Sequence, residues 1–531
     1  MRRWNGWGDE ATTYPLPASA AVYLSGLVGA GPRLEDADWE TALSTVPASR
    51  LRAHPLASVE PGDRLRHARG QSLPDWVALR AGQPGACPDG VAYPSTAAEV
   101  RTLLDYARQT GTRLIPYGGG SSVVGHINPR PQDAPVLTVD LSRLNQLLDL
   151  DEVSRLATLE AGANGPEIEA QLGARGYTLG HFPQSYELST LGGWIATRSS
   201  GQQSYYYGRI EALFAGGQVE TLAGPLDLPP HPASAAGPDL RHLILGSEGR
   251  LGLITRAIVR VRPRPEVDSF HGVFFRDWRS GADAVRVLAQ AGVRVSMLRL
   301  SDAQETETTL RLAGHERLVA WAERGLRLAG FGPERCLLLF GVTGDRAAAS
   351  FAHSQTTEVC RAHGGLVVGT AIGNRWRKTR FLSPYLRNTL WEAGYALDTL
   401  ETAVPWARVL PLAAALTAGL RGGLTDLGEQ VLAFAHLSHV YADGASLYVT
   451  YLFRRAPDPA ETLRRWQTLK TGASRTLVAH GGTISHQHGV GVDHAPYLAA
   501  EKGSLGLQAL AAARQSLDPD GLLNPGKLLE R

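Results

Sequence analysis

Six of the 16 histidines fall between positions 436 and 494: His436, His439, His480, His486, His488 and His494. Imidazole titrates near neutral pH and binds metals, so such a cluster can move protons or hold a cation. The chain has no HExxH, and carboxylates at ligand spacing are scarce around these residues, so no metal is assigned. Proton work remains. Tyr441 stands in a polar, glycine-containing turn before the apolar run Ser446–Phe453. A free phenol titrates near 10, and a neighbouring cation or flavin can lower that value enough for acid/base use. His486 and His488 alternate, so an extended backbone would turn both side chains to one side. Three arginines, Arg299, Arg380 and Arg387, offer guanidinium forks suited to phosphate or carboxylate.

A second kind of chemistry lies far upstream. Pro116-Tyr117-Gly118-Gly119-Gly120-Ser121-Ser122 closes an apolar run with three glycines and two hydroxyls. Glycines let the backbone adopt positive φ, and successive free N–H groups then form a nest for an anion, here a pyrophosphate. Two further blocks of small and hydroxyl residues follow, Ser189–Gly201 and Gly246–Thr255. Three such blocks suit a long, bent dinucleotide that touches backbone at many points. There is no GxxxxGK[ST], and no GxGxxG with an acid about 20 residues on, which excludes a P-loop and disfavours a Rossmann NAD site.

The elements that must position these groups are legible from periodicity. Ala97–Thr110 repeats apolar residues at helical spacing, with Ser95 or Thr96 as cap. Arg113–Pro116 is a short strand feeding the glycine loop, and Pro135–Leu141 is another. Leu147–Ala161 alternates like a hairpin, a helix follows near Gly165–Arg175, and Ala257–Val261 is a strand. A short helix is expected at Ser72–Arg80. Residues 1 to about 60, with Trp4, Trp7 and Trp39, read as an irregular extended arm. After Arg262-Pro263-Arg264-Pro265 the texture changes. Strands at Ser269–Arg276, Arg335–Val342 and Ser446–Phe453 are each followed by a helix, at Ser280–Ala291, Ala347–His363 and Asp458–His480. These lead to Ser296–Leu300, Gly365–Gly369 and Gly482–His486 as further strands or turns. The segment Leu517–Lys527 carries helix-stop and turn chemistry.

At 531 residues more than one domain is expected, and net charge +2 gives no electrostatic reason to expect nucleic acid. Cys87, Cys336 and Cys360 form no CxxC pair, which points to a reducing cytoplasm. No apolar run approaches the ~18 residues that a spanning helix needs, so any membrane contact is expected to be peripheral.

The three blocks together resemble the FAD domain of the vanillyl-alcohol oxidase, or PCMH-type, family of flavoproteins. Within it the chain resembles the alkyldihydroxyacetonephosphate synthases through Met1–Gly8, Ser296–Leu300, Glu401–Trp406, Ser438–Ala445 and Ile484–Gly491. The resemblance runs nearly end to end. It implies an α+β fold: a two-part PCMH-type FAD-binding domain and a cap domain with a mostly antiparallel sheet and flanking helices. The division it implies is an arm at 1–85, the FAD domain at 86–264, the cap at 265–500, and a segment at 501–531 returning to the FAD domain. The implied flavin contacts are Pro116, Tyr117, Gly118, Gly119, Gly120, Ser121, Ser122, Gln184, Ser189, Thr190, Gly193, Thr197, Ser199, Ser200, Glu248, Gly252 and Ile254. Gly120 stands where some relatives carry the histidine that bonds the flavin, so the expected FAD is non-covalent. The implied reaction exchanges the acyl chain of acyl-dihydroxyacetone phosphate for a fatty alcohol, without net redox change, and it needs an apolar tunnel for the chains. Tyr441 is the implied acid/base, with His486, His488 and Arg299 required for turnover, Arg380 binding substrate and Arg387 beside it. Gln487 departs from the histidine common in that family, and Gln cannot relay a proton. The expected partners are a lipid-like phosphate and a fatty alcohol, and the expected assembly is a homodimer. The alternative is an FAD-linked D-2-hydroxyacid dehydrogenase or oxidase. Its metal-binding His-x-Gly-Asp-Gly-Asn-x-His type motif is not matched by His439–Tyr448.

Overall fold

In the computed structural model, which describes residues 1–312 and 323–529, the chain forms three principal sheets. The first places Gly90–Ala92, Val136–Asp140 and Arg113–Tyr117 in parallel, with Ala57–Ser58 antiparallel at one edge. The helix Ala97–Thr110 joins the parallel strands. Thr96 caps it by accepting from the Glu99 N–H, and Gly111 ends it at φ +72. Its apolar stripe, Val100, Leu103, Leu104 and Ala107, is buried. The second sheet is antiparallel, with strands Leu147–Asp151, Leu156–Glu160, Leu253–Arg260, Phe214–Thr221 and Gly224–Leu228 in that spatial order.

The cap sheet has seven strands, every pairing antiparallel, in the order Leu366–Gly369, Val267–Phe275, Cys336–Gly344, Met297–Ser301, Leu432–Val440, Gly444–Arg454, Tyr395–Pro405. An aspartate opens each of the three helices expected from the sequence to follow a cap strand. Asp277, Asp345 and Asp458 accept from Ser280, Ala348 and Ala460 N–H at Trp278–Gln290, Arg346–Ala362 and Pro459–Ala479. These caps fix where strand becomes helix. The sheet's largest core gathers Phe275, Phe340, Leu437, Val449 and Phe453, all nearly inaccessible. Each such side chain contributes about 1.5–3 kcal/mol on burial.

Two expectations change. The arm is not simply extended: it contains helices Ala18–Val28 and Trp39–Ser44, and Trp4 packs edge-on to Trp39 with ring centroids 5.5 Å apart. Gly482–His486, expected as a strand or turn, is not a strand but the start of an irregular loop.

The chain's end comes back to its first sheet. Leu523 bridges Leu114 in parallel, Leu114 N–H donates to Leu522, and Asn524 N–H donates to Leu114. Asp518 holds this return by accepting from Leu522 and Leu523 N–H. Glu530 and Arg531, the last residues of the expected returning segment, lie outside the described residues.

Candidate active site

The three glycine-rich blocks meet pairwise. A Cβ on Gly119 would lie 1.6 Å from the Leu188 carbonyl oxygen, and one on Gly118 2.3 Å from Thr190 Oγ1, so only glycine lets the first block reach the second. A Cβ on Gly249 would lie 2.3 Å from Pro116 Cγ, which joins first and third. Gly246 and Glu248 N–H donate to Ile195 and Ala196, which joins second and third. Gly120 sits at φ +62, the left-handed region that opens a nest.

Several expected flavin contacts have other duties. Ser122 Oγ is 2.8 Å from His126 Nδ1. Ser189 Oγ accepts from the Trp194 indole at 2.7 Å, and Thr190 caps helix Leu191–Thr197 by accepting from Gly193 N–H. Thr197 Oγ1 donates back to the Gly193 carbonyl. Ser199 and Ser200 hydroxyls meet His181 and His439. The Gln184 amide donates to the Arg380 carbonyl and Ser383 Oγ, across to the cap. Ile254 packs in the core of the second sheet, where Gly252 precedes the strand Leu253–Arg260. The Tyr117 ring is buried against His67, and burial pushes its pKa up.

The histidine motif is not extended, so its alternation does not aim His486 and His488 together. The loop is instead gripped by two buried carboxylates. Glu401 Oε1 accepts from His486, Gln487 and His488 N–H at 3.2, 2.7 and 2.6 Å, and from Ser485 Oγ at 3.0 Å. Glu248, expected at the flavin, accepts from Val490 and Gly491 N–H at 2.5 and 2.9 Å and lies 3.2 Å from His126 Nε2. One carboxylate belongs to a cap strand and the other to the third glycine-rich block.

This grip sends the two histidines to different tyrosines. His486 Nε2 is 2.6 Å from Tyr441 Oη, and Arg209 donates to the same nitrogen at 3.0 Å and to Tyr441 Oη at 3.4 Å. Arg209 also donates to the carbonyls of His486 and Arg198, tying the pair to the second block. An imidazole nitrogen that accepts is unprotonated, so the ring proton sits on Nδ1. That nitrogen faces Glu401 Oε2 at 3.8 Å. Burial, then Arg209, holds the His486 pKa well below its ordinary value. Burial raises Tyr441, and Arg209 opposes that rise. His488 packs edge-on to Tyr448, whose hydroxyl donates to Thr399 and whose pKa burial pushes up to about 12.

The predicted arginines separate. Arg299 does not reach Tyr441. It is paired with Glu305 at 2.7 Å and donates to His436 at 3.2 Å, and His436 stacks on Tyr448. Burial would raise the Glu305 pKa, but Arg299 and His436 outweigh it and hold it down. Arg380 is enclosed by Phe182 and Phe381, donates to Gln203 Oε1, and has its pKa lowered to about 10 by burial. Arg387 lies 4.3 Å over Trp76 and donates to the Gln71 carbonyl, and its Nε and Nη2 are buried without hydrogen-bond partners. Among the described residues neither Arg380 nor Arg387 has a carboxylate within ion-pair distance. An unpaired buried cation costs several kcal/mol, a cost that a bound anion would offset.

Sequence reasoning missed Arg209, Glu401 and Lys527. Glu401 and Lys527 lay inside motifs that were noticed, but nothing local marks an acid whose partners are 85 residues away. Lys527 is 1% exposed, its pKa is lowered to about 7 by burial, then by Arg130, Arg250 and Arg69, and it makes no ion pair among the described residues. A pyrophosphate would offset this local excess of positive charge. The clasped glycines, the left-handed Gly120 and these cations all fit the phosphates of FAD.

Residues 88–224 match the FAD binding domain model, and residues 264–528 match the model for the C-terminal domain of FAD linked oxidases. The fold and site are therefore those of an FAD-dependent flavoprotein enzyme. The chain is 30% identical to the alkyldihydroxyacetonephosphate synthase of Trypanosoma brucei brucei, over 88% of this chain and 77% of that one. It is 29% identical to the synthase of Dictyostelium discoideum, over 99% and 93%. A solved alkyldihydroxyacetonephosphate synthase structure superimposes with TM-score 0.85 at 26% identity, covering 98% of both chains. The chain belongs to the alkyldihydroxyacetonephosphate synthase family.

Proposed function

We propose that this chain makes the ether bond of alkyl-dihydroxyacetone phosphate, replacing the acyl oxygen at C1 of acyl-dihydroxyacetone phosphate by the oxygen of a fatty alcohol and releasing the fatty acid. The observation that carries the assignment of roles is the row Arg209, Tyr441, His486, Glu401. Moving the phenol proton to His486 Nε2 leaves phenolate beside Arg209 and imidazolium facing Glu401. Arg209 stabilises the phenolate, whereas burial and the same Arg209 oppose the imidazolium, which has Glu401 Oε2 facing its Nδ1. The phenolate then takes a C1 proton and later returns it. Arg380 holds the substrate phosphate, and it supplies positive charge that a buried anion requires. FAD would be held by Gly118–Ser122 and would supply an electrophilic ring nitrogen to accept the deprotonated C1. Gln487 needs no proton role: its backbone N–H donates to Glu401 and its side chain hydrogen-bonds His439.

Two tyrosines compete for the acid/base part, and their surroundings separate them. Tyr441 has a cation and a proton acceptor at its hydroxyl. Tyr448 has neither, and Glu401 and Asp398 oppose its ionisation. The test is ether formation from acyl-dihydroxyacetone phosphate and hexadecanol by Tyr441→Phe and Tyr448→Phe. Tyr441→Phe is expected to lose at least 100-fold in kcat, the scale of general-base catalysis, with Tyr448→Phe losing much less. Equal losses, or the reverse order, would overturn the assignment. Flavin bleaching by D-lactate in place of ether product would favour the hydroxyacid dehydrogenase alternative.

A further inference from the structure

The opening Met1–Glu10, with Trp4, Gly6, Trp7 and Gly8, is unaccounted for by the flavin and substrate roles above. It forms a small hairpin: Arg2 bridges Asp9, Arg3 N–H donates to Gly8, and Glu10 N–H donates to Met1. Asn388 of the cap clasps its turn in both directions, accepting from Trp7 N–H and donating to the Trp7 carbonyl, each at 3.0 Å. Arg80 and Gln71 hold the Asn5 and Gly6 carbonyls. A Cβ on Gly8, at φ +76, would lie 2.2 Å from the Tyr385 ring. The hairpin is thus fixed on both sides, and it delivers one side chain to the glycine loop. Arg2 Nη2 donates to the Gly119 carbonyl at 2.5 Å and bonds the Tyr117 hydroxyl. Arg66 secures it from behind by donating to the Arg2 carbonyl at 3.2 Å. Among the described residues Arg2 has no carboxylate within ion-pair distance.

We infer that Arg2 is a positioning residue for the FAD pyrophosphate, acting through the Gly119–Gly120 peptide. In a trans peptide the C=O and N–H point in opposite directions. Drawing the Gly119 carbonyl toward the hairpin therefore turns the Gly120 N–H the other way, into the cradle. A charged donor on the carbonyl also polarises the peptide and strengthens that N–H as a donor. Two glycines leave this peptide free to rotate, so its orientation has to be imposed from outside, and Arg2 imposes it. The inference rests on the glycine loop being the pyrophosphate cradle.

The experiment titrates the flavin-free full chain with FAD and with riboflavin, which lacks the phosphates, following flavin fluorescence. Wild type is expected to prefer FAD strongly; equal affinities would refute the cradle itself. Arg2→Gln is expected to weaken FAD about 10-fold or more, the value of one charged hydrogen bond, with riboflavin unchanged. Arg2→Lys keeps a cationic donor and is expected to recover part of the loss. Arg3→Gln, whose guanidinium among the described residues donates to the Glu10 and Thr12 carbonyls, is expected to match wild type. FAD affinity of Arg2→Gln within twofold of wild type, or an equal loss for riboflavin, would overturn the role of Arg2.

Discussion

Removing the Glu401 carboxylate tests whether the histidine loop is held by backbone capture. Its Oε1 accepts from three consecutive backbone N–H groups and one hydroxyl. In Glu401→Gln the oxygen can stay but the charge goes. A charged bond is stronger than a neutral one by about 1 kcal/mol, and four bonds on one oxygen do not add, so about 2 kcal/mol is lost. That corresponds to roughly a 30-fold larger open population of the loop. In Glu401→Ala three buried N–H groups lose their acceptor, at about 1–3 kcal/mol each, so the loop leaves its position. Strand Tyr395–Pro405 keeps its pairing with Gly444–Arg454 in both variants, so the cap sheet survives. The assay pairs ether-forming turnover with hydrogen exchange at the amides of His486, Gln487 and His488. Glu401→Gln is expected to speed exchange about 30-fold and lower kcat about 10-fold. Glu401→Ala is expected to lose protection at all three amides and fall about 1000-fold in kcat. Unchanged protection at these amides in Glu401→Ala, or turnover within threefold of wild type, refutes the argument.

Arg209→Met should move the acid limb of the pH–rate profile upward. Arg209 lowers the His486 pKa, so its removal lets the ring protonate, and stop accepting, at higher pH; a profile superimposable on wild type speaks against the pairing. His181 is buried and its pKa is lowered to about 3, chiefly by burial. A depressed value means stability present above the unfolded value near 6.5 and lost as pH falls below it. His181→Gln removes that loss, so between pH 7.5 and 5.5 its stability relative to wild type should improve by about 1 kcal/mol in denaturant titrations; no change in the difference contradicts a neutral buried His181. Unfolding in guanidinium should release all the flavin into the filtrate, because Gly120 offers no side chain for a bond; yellow colour retained on the protein disproves a dissociable cofactor.

What could be seen from the amino acids follows the range of the forces involved. Helix Ala97–Thr110 announced itself because its cap, its stripe and its terminal glycine are all local. The cap strands Val267–Phe275, Cys336–Gly344 and Gly444–Arg454 were visible as apolar runs, whereas Leu432–Val440 and Tyr395–Pro405 were not read as strands. The arm's helices were hidden: Ala18–Val28 buries Leu24 and Val28 against the remote Leu390 and Leu452, with no stripe polar enough to stand out. The alternation of His486 and His488 misled because the backbone there obeys Glu401 and Glu248, not its own periodicity. Arg299 looked like Arg387 in sequence, yet one is neutralised by Glu305, six residues on, and the other has no acid to meet. Nothing in a string of residues distinguishes a paired arginine from an unpaired one.

The contact between Leu114 and Leu523 joins residues that are far apart along the chain, one strand before the glycine loop. Closing a loop that long costs entropy that few local contacts repay early, so such pairings form late in folding. Synthesis delivers them late as well, since the ribosome must release Asn524 before it can meet Leu114. The cap and the second sheet have all their strands well before then. A chain still being made can therefore fold its cap and its second sheet while the edge of its first sheet, beside Leu114, is still open.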